Sequence, residues 1–217
     1  MEQTCFAVRP GMSERRVAGT LAHAVMDRGA TPTVVLIAAD ERINHYRHPI
    51  PKDRKVEKCV MLVVCAKRGG LILSTTRLVH FGDLSADLRR KHDACARIDA
   101  TFILGSRPGA AVKSIFEAAM QEYALAGFPD EWQLHHQGGA TGYSGRDYRA
   151  TPTIEETVQP NQAFAWNPSI TGTKSEDTVI AFESGPEVLS PTPGIPSISV
   201  IIGDAAIERS DILVRDG

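Results

Sequence analysis

The chain has 217 residues, 42% hydrophobic and 23% charged, enough for one domain with a sizeable core. A net charge of −2 and a pI near 6.4 exclude the basic field that nucleic acid or an anionic membrane surface would call for. No apolar run approaches the roughly 20 residues of a membrane span, the first residues lack the blocks of a signal peptide, and Cys5, Cys59, Cys65 and Cys95 form no C-x-x-C pair, so a cytoplasmic protein with reduced thiols is expected.

Taken in chain order, the predicted elements repeat. Arg9-Pro10-Gly11 opens a helix that closes at Gly29, with Ser13 as N-cap and Val17, Leu21, Ala24 and Val25 at helical spacing. Extended sequence follows, then two β-rich runs, Cys59–Ala66 and Gly70–Phe81. A helix from about 85 to 104, with Leu88, Cys95, Ile98 and Phe102 on its inner face, is expected to link two halves. Arg107-Pro108-Gly109 then opens a second helix that closes at Gly127, each end displaced by 98 residues from the first copy. It carries Ile115, Phe116, Ala119 and Tyr123 at helical spacing, and a second pair of runs follows, Gln162–Ile170 and Glu176–Phe182. The layout predicts an α+β domain: a first half over about 1–83, the linking helix, a second half over about 107–190, and a tail over 191–217 with one more strand, Ile198–Ile202.

Five stretches carry a more specific signal: His48-Pro-Ile-Pro-Lys-Asp-Arg54, Thr76-Arg77, His135-His-Gln-Gly-Gly139, Gln162-Ala-Phe-Ala-Trp-Asn-Pro168 and Gly172-Thr-Lys-Ser-Glu-Asp-Thr-Val179. In this order they resemble segments shared by the methionine aminopeptidases, Xaa-Pro aminopeptidases and creatinase. The resemblance implies the pita-bread fold, two pseudo-symmetric α/β halves around a central cleft with a curved antiparallel sheet. It also implies a small-molecule or peptide substrate and a homodimer. Creatinase and Xaa-Pro aminopeptidases carry an additional N-terminal domain; the first helix here is expected to be that of the catalytic domain, either of a longer protein or of one that stands alone like a methionine aminopeptidase.

Those enzymes hold two divalent ions with two aspartates, a histidine and two glutamates. Here the departures fall on the ligands. The second aspartate slot falls on Ser74, the first among Val63, Val64 and Cys65, and one glutamate slot on Asn167; a histidine and Glu176 remain. Two cations facing each other need several anionic oxygens, so no bound metal and no other cofactor is expected. A single ion held by Cys65, a histidine and Glu176 is a lesser alternative.

By resemblance to metal-free creatinase, His48 takes the general acid/base slot, with His45 second, and His136 and Glu176 complete the catalytic candidates. Imidazole suits that role because its ordinary pKa lies near neutrality. The alternative for His48 is an exposed loop histidine. Adjacent residues in extended backbone point to opposite faces, so one of His135 and His136 is expected in the cleft. His135, Lys174 and Asn167 are candidate substrate contacts, and Arg146 and Arg149 could clamp a carboxylate in place of the aminopeptidases' second histidine. Lys174, two residues before Glu176, is expected on the same strand face. A plain charged loop and a structural Lys174–Glu176 pair are the alternatives. Arg77 is expected to meet a core carboxylate, and Cys65 to be a buried, inert thiol. These residues point to a metal-independent hydrolase of C–N bonds in a small molecule or peptide end. The alternatives are a non-catalytic pita-bread binding module and, less favoured, a single-metal aminopeptidase.

Overall fold

The structure, a computed structural model, describes residues 1–216. Helix α1 (Glu2–Ala7) leads into α2 (Glu14–Met26), whose Ser13 cap accepts the Arg16 N–H. The chain returns as β1 (Thr31–Ala39), makes one turn of α3 (Arg42–His45), and forms the hairpin of β2 (Cys59–Arg68) and β3 (Leu71–Phe81). Helix α4 (Ala86–Gly105) is capped by Ser85 and links to α5 (Val112–Leu125). A 3-10 turn (Glu131–Leu134) precedes β4 (Gly138–Thr141), β5 (Gln162–Trp166), β6 (Ser169–Ile170), β7 (Thr173–Lys174), β8 (Asp177–Phe182) and β9 (Gly185–Val188). The chain ends with β10 (Ser197–Ile202), β11 (Ala205–Ser210) and β12 (Leu213–Arg215).

The repeat extends to individual hydrogen bonds. Gly11 N–H reaches Val56 O at 2.8 Å and Val56 N–H returns to Met12 O. In the second copy Gly109 N–H reaches Val158 O at 2.9 Å and Val158 N–H returns to Ala110 O. Gly11 and Gly109 share a φ of 84°, a left-handed turn that favours glycine at both helix entries. Each half thus runs helix, strand, hairpin. The first sheet has the order β1-β2-β3-β12 and the second β4-β5-β8-β9. Val17 and Leu21 of α2 pack on one sheet, Phe116 and Tyr123 of α5 on the other. The two meet where β3 faces β8: Thr76 N–H donates to Glu176 O at 3.1 Å, and Ser74 N–H to Thr178 Oγ1 at 2.8 Å.

The tail closes on the rest of the fold: β12 pairs parallel to β3, and the β10–β11 hairpin lies on Ala96 and Ala100 of α4. Two expectations need correction. The run Gln162–Ile170 breaks at Asn167-Pro168, because proline supplies no N–H to the ladder. Lys174 and Glu176 do not share one strand: β7 ends at Lys174, β8 begins at Asp177, and Glu176 forms an isolated bridge with Thr76.

A buried ionic chain locks the junction. Arg77 meets Asp177 at 2.7 Å, Asp177 meets Arg209 of β11 at 2.6 Å, and Arg209 meets Asp99 of α4 at 2.7 Å. Arg77 therefore has the core carboxylate expected for it. Burial would raise the Asp177 pKa, but Arg209 and Arg77 outweigh it and hold the carboxyl below its ordinary value.

Candidate active site

Between the two sheets lies a cavity of about 610 Å³. The first half supplies an apolar wall of Val34, Leu36, Val63 and Cys65; the second supplies His136, Arg146, Tyr148, Arg149, Asn167, Lys174 and Glu176. His48 reaches in from the loop after α3.

The hairpin register decides which side chains face the cavity. Cys65 stands opposite Ser74 and Val63 opposite Thr76, so these four share one face. Val64 packs into the core beneath α2, which removes it from the three positions left open for the first aspartate slot. The Ser74 hydroxyl donates to the Cys65 thiol at 3.1 Å. Burial, then the charge of Glu176, raises the Cys65 pKa, leaving a protonated thiol.

Glu176 is 2% exposed and fully engaged. Its carboxylate lies 3.6 Å from Lys174 Nζ and 3.3 Å from the Arg146 guanidinium, and accepts the Thr76 hydroxyl at 2.5 Å. Burial alone would raise its pKa; Lys174 and Arg146 reverse this and keep it ionised.

The histidines depart from strand alternation. His135 and His136 were expected on opposite faces, yet their rings stack with centroids 4.5 Å apart, and His135 Nε2 lies 3.2 Å from His48 Nε2. The reason is local: the chain bends at His135, after the 3-10 turn, and regular strand begins only at Gly138. Gln137 holds the bend by donating to the carbonyls of Trp132 and His135 while accepting the Tyr123 hydroxyl. At Gly139 a Cβ would lie 2.1 Å from the Tyr148 carbonyl oxygen, so only glycine lets the Tyr143–Arg149 loop close over the strand. Burial is the main cause that lowers the pKa of all three histidines, with Lys174 second at His48 and His135. At His136, lowered to about 3, Arg146 and Arg149 follow. All three imidazoles are neutral near neutral pH.

Of the other candidates, Arg149 and Asn167 line the cavity, and Asn167 Oδ1 is buried without a partner. His45 is exposed at the end of α3, 6.5 Å ring to ring from Tyr46, and does not line the cavity. Tyr148, Thr76, Leu36 and Gln137 belong to the site but were not singled out as candidates. Tyr148 lies between the flagged Arg146 and Arg149, and Thr76 and Gln137 lie inside flagged stretches; Leu36 carried no local signal.

A pair of divalent ions does not fit this donor set. Where the resemblance implies carboxylates stand valine, a thiol donating no charge, serine and an amide, and the remaining carboxylate is already neutralised by two protein cations.

Comparison with known proteins agrees with this architecture. The sequence profile of metallopeptidase family M24 matches residues 1–207. An uncharacterised peptidase of Staphylococcus epidermidis is 22% identical over 198 residues, 84% of this chain and 54% of that protein. Among solved structures, dipeptidase PepE from Mycobacterium ulcerans superposes with a TM-score of 0.82 at 20% identity, covering 98% of this chain and 55% of its own. X-Pro aminopeptidase from Thermotoga maritima gives 0.83 at 19%, covering 98% and 58%. The chain therefore spans about half the length of the relatives it matches. The pita-bread fold is common to them, no helix among the described residues is long and apolar enough to cross a membrane, and the profile covers nearly the whole sequence. The chain belongs to metallopeptidase family M24.

Proposed function

We propose that the cleft hydrolyses a C–N bond in a small molecule or peptide end bearing a carboxylate, without a metal ion. One observation carries this reading. Buried polar atoms without partners gather on the residues of this cavity: His136 Nδ1, Arg146 Nε, the Tyr148 hydroxyl and Asn167 Oδ1. Buried polar groups are ordinarily paired, so a set of orphans around one cavity points to a polar ligand that supplies both donors and acceptors.

In this scheme Arg146 and Arg149 receive the carboxylate and Asn167 Oδ1 accepts a substrate N–H. The neutral imidazole of His48 or His136 takes a proton from water as the oxygen attacks the carbonyl carbon. Lys174 stabilises the oxyanion, and the imidazolium returns its proton to the leaving nitrogen as the C–N bond breaks. Glu176 holds Lys174 and Arg146 in place. The four unpaired cysteines support work in a reducing cytoplasm, and the resemblance to Xaa-Pro aminopeptidases supports a homodimer.

The test is hydrolysis of dipeptides and amidino compounds by chelator-treated protein. Wild type should turn over one of them, and His48→Ala should lower kcat by about 100-fold or more. Unchanged kcat in both His48→Ala and Glu176→Gln removes the reading. A second reading, a binding module without turnover, is favoured by the full engagement of Glu176 with Lys174, Arg146 and Thr76. Tight binding of a carboxylate ligand with no hydrolysis would select it.

A further inference from the structure

We propose that His48, His135 and His136 form a mononuclear site for a borderline transition-metal dication such as zinc, sharing no more than one histidine with the two-ion carboxylate cage that the resemblance implies. The three imidazoles each offer a nitrogen, and these nitrogens lie within 4.8 Å of one another. His48 Nε2 and His135 Nε2 are 3.2 Å apart. Zinc–imidazole bonds of about 2.0–2.1 Å in a tetrahedron place two ligand nitrogens roughly 3.3–3.4 Å apart, so this pair already spans one edge.

A second observation points the same way. Nδ1 of His136 is buried without a hydrogen-bond partner, and His135 is 8% exposed. Three imidazoles crowded together, with that nitrogen free to ligate, make a set that one cation would satisfy. His48 and His136 also line the cavity, so an open coordination position would face it.

The surrounding charge sets the character of the site. Lys174, Arg146 and Arg149 flank it on the cavity side against one carboxylate, Glu176, and Arg47 is paired with Glu131 beside the His135 turn. Three neutral ligands leave a dication uncompensated, so the open position is expected to take an anion such as hydroxide or carboxylate. Neutral imidazole suits zinc, copper and nickel, whereas hard ions such as magnesium need oxygen donors and are not expected to bind. Bound zinc would also occupy the lone pairs used by the metal-free reaction, making it an inhibitor of that reaction.

Zinc titration by calorimetry on chelator-treated protein tests the site without reference to turnover. One zinc per chain is expected, with cobalt giving the intense visible absorption of a tetrahedral ion. His48 is exposed on a loop, so His48→Ala should fold normally and weaken zinc by about tenfold or more. His45→Ala, three residues away and outside the cluster, should bind as wild type. The proposal is overturned if zinc shows no saturable single site, or if its affinity is unchanged in both His48→Ala and a His135→Gln/His136→Gln double variant.

Discussion

The two halves of the molecule share a backbone and divide the chemistry. Both enter a helix through Arg-Pro-Gly, continue into a strand, and close with a hairpin, with matching hydrogen bonds at Gly11 and Gly109. Yet the first hairpin turns Val63 and Cys65 to the cleft, while the second half contributes Asn167, Lys174, Glu176 and Arg146. What a repeat must keep is the pattern of burial and turns. Side chains facing the cleft are free of that constraint, so one wall can be apolar and the other charged.

The largest expected effect comes from breaking the junction where the halves and the tail meet. Arg209→Met leaves Asp99 and Asp177 buried near each other, with only Arg77 against Asp177, and should cost about 3–5 kcal/mol. A shift in the urea midpoint worth less than about 1 kcal/mol would mean that apolar packing alone joins the halves.

A smaller effect probes the helix between them. His92 on α4 contacts Thr173 Oγ1 at 2.7 Å and faces the Ser210 carbonyl, and burial lowers its pKa to about 4. Its folded pKa lies below the ordinary 6.5, so the folded state binds fewer protons than the unfolded state between these values. The stability it contributes is full above pH 6.5, declines below that, and is lost once pH passes about 4. The thermal midpoint of wild type should fall on acidification from pH 7.5 to 5, and His92→Gln should flatten part of that fall. The cleft histidines, lowered in the same direction, account for the remainder. A wild-type midpoint that does not move over this range contradicts the assignment.

The smallest effect compares the two helix starts directly. Ser13 caps α2 through its side chain, whereas Ala111 at the equivalent position of α5 offers none. Ser13→Ala should lose about 1 kcal/mol, and Ala111→Ser should gain a fraction of that. No loss in Ser13→Ala, or no gain in Ala111→Ser, in denaturation curves would show that the two caps are not equivalent sites.

Much of the fold was legible because it rests on local signals. Helical spacing placed α2, α4 and α5, and β-rich runs flanked by glycine placed β2 and β3. Strands β1 and β4 passed as plain extended sequence, since β4 reads Gly-Gly-Ala-Thr and carries no apolar alternation. Of the site, Glu176, Lys174 and His48 were legible through motif spacing. Leu36 and Tyr148 were not, because the cavity walls they form are assembled from segments more than 100 residues apart.

The amino-acid sequence by itself determined the duplicated helix–hairpin plan and the lack of acidic residues in β2 and β3, since both follow from residue type and spacing along one stretch of chain. Only the tertiary structure decided that His48, His135 and His136 gather at one point, that Lys174 and Arg146 neutralise Glu176, and that the tail closes the first sheet. These depend on the bend at His135 and the meeting of β3 with β8, which bring together groups whose separation in sequence carries no trace of their separation in space.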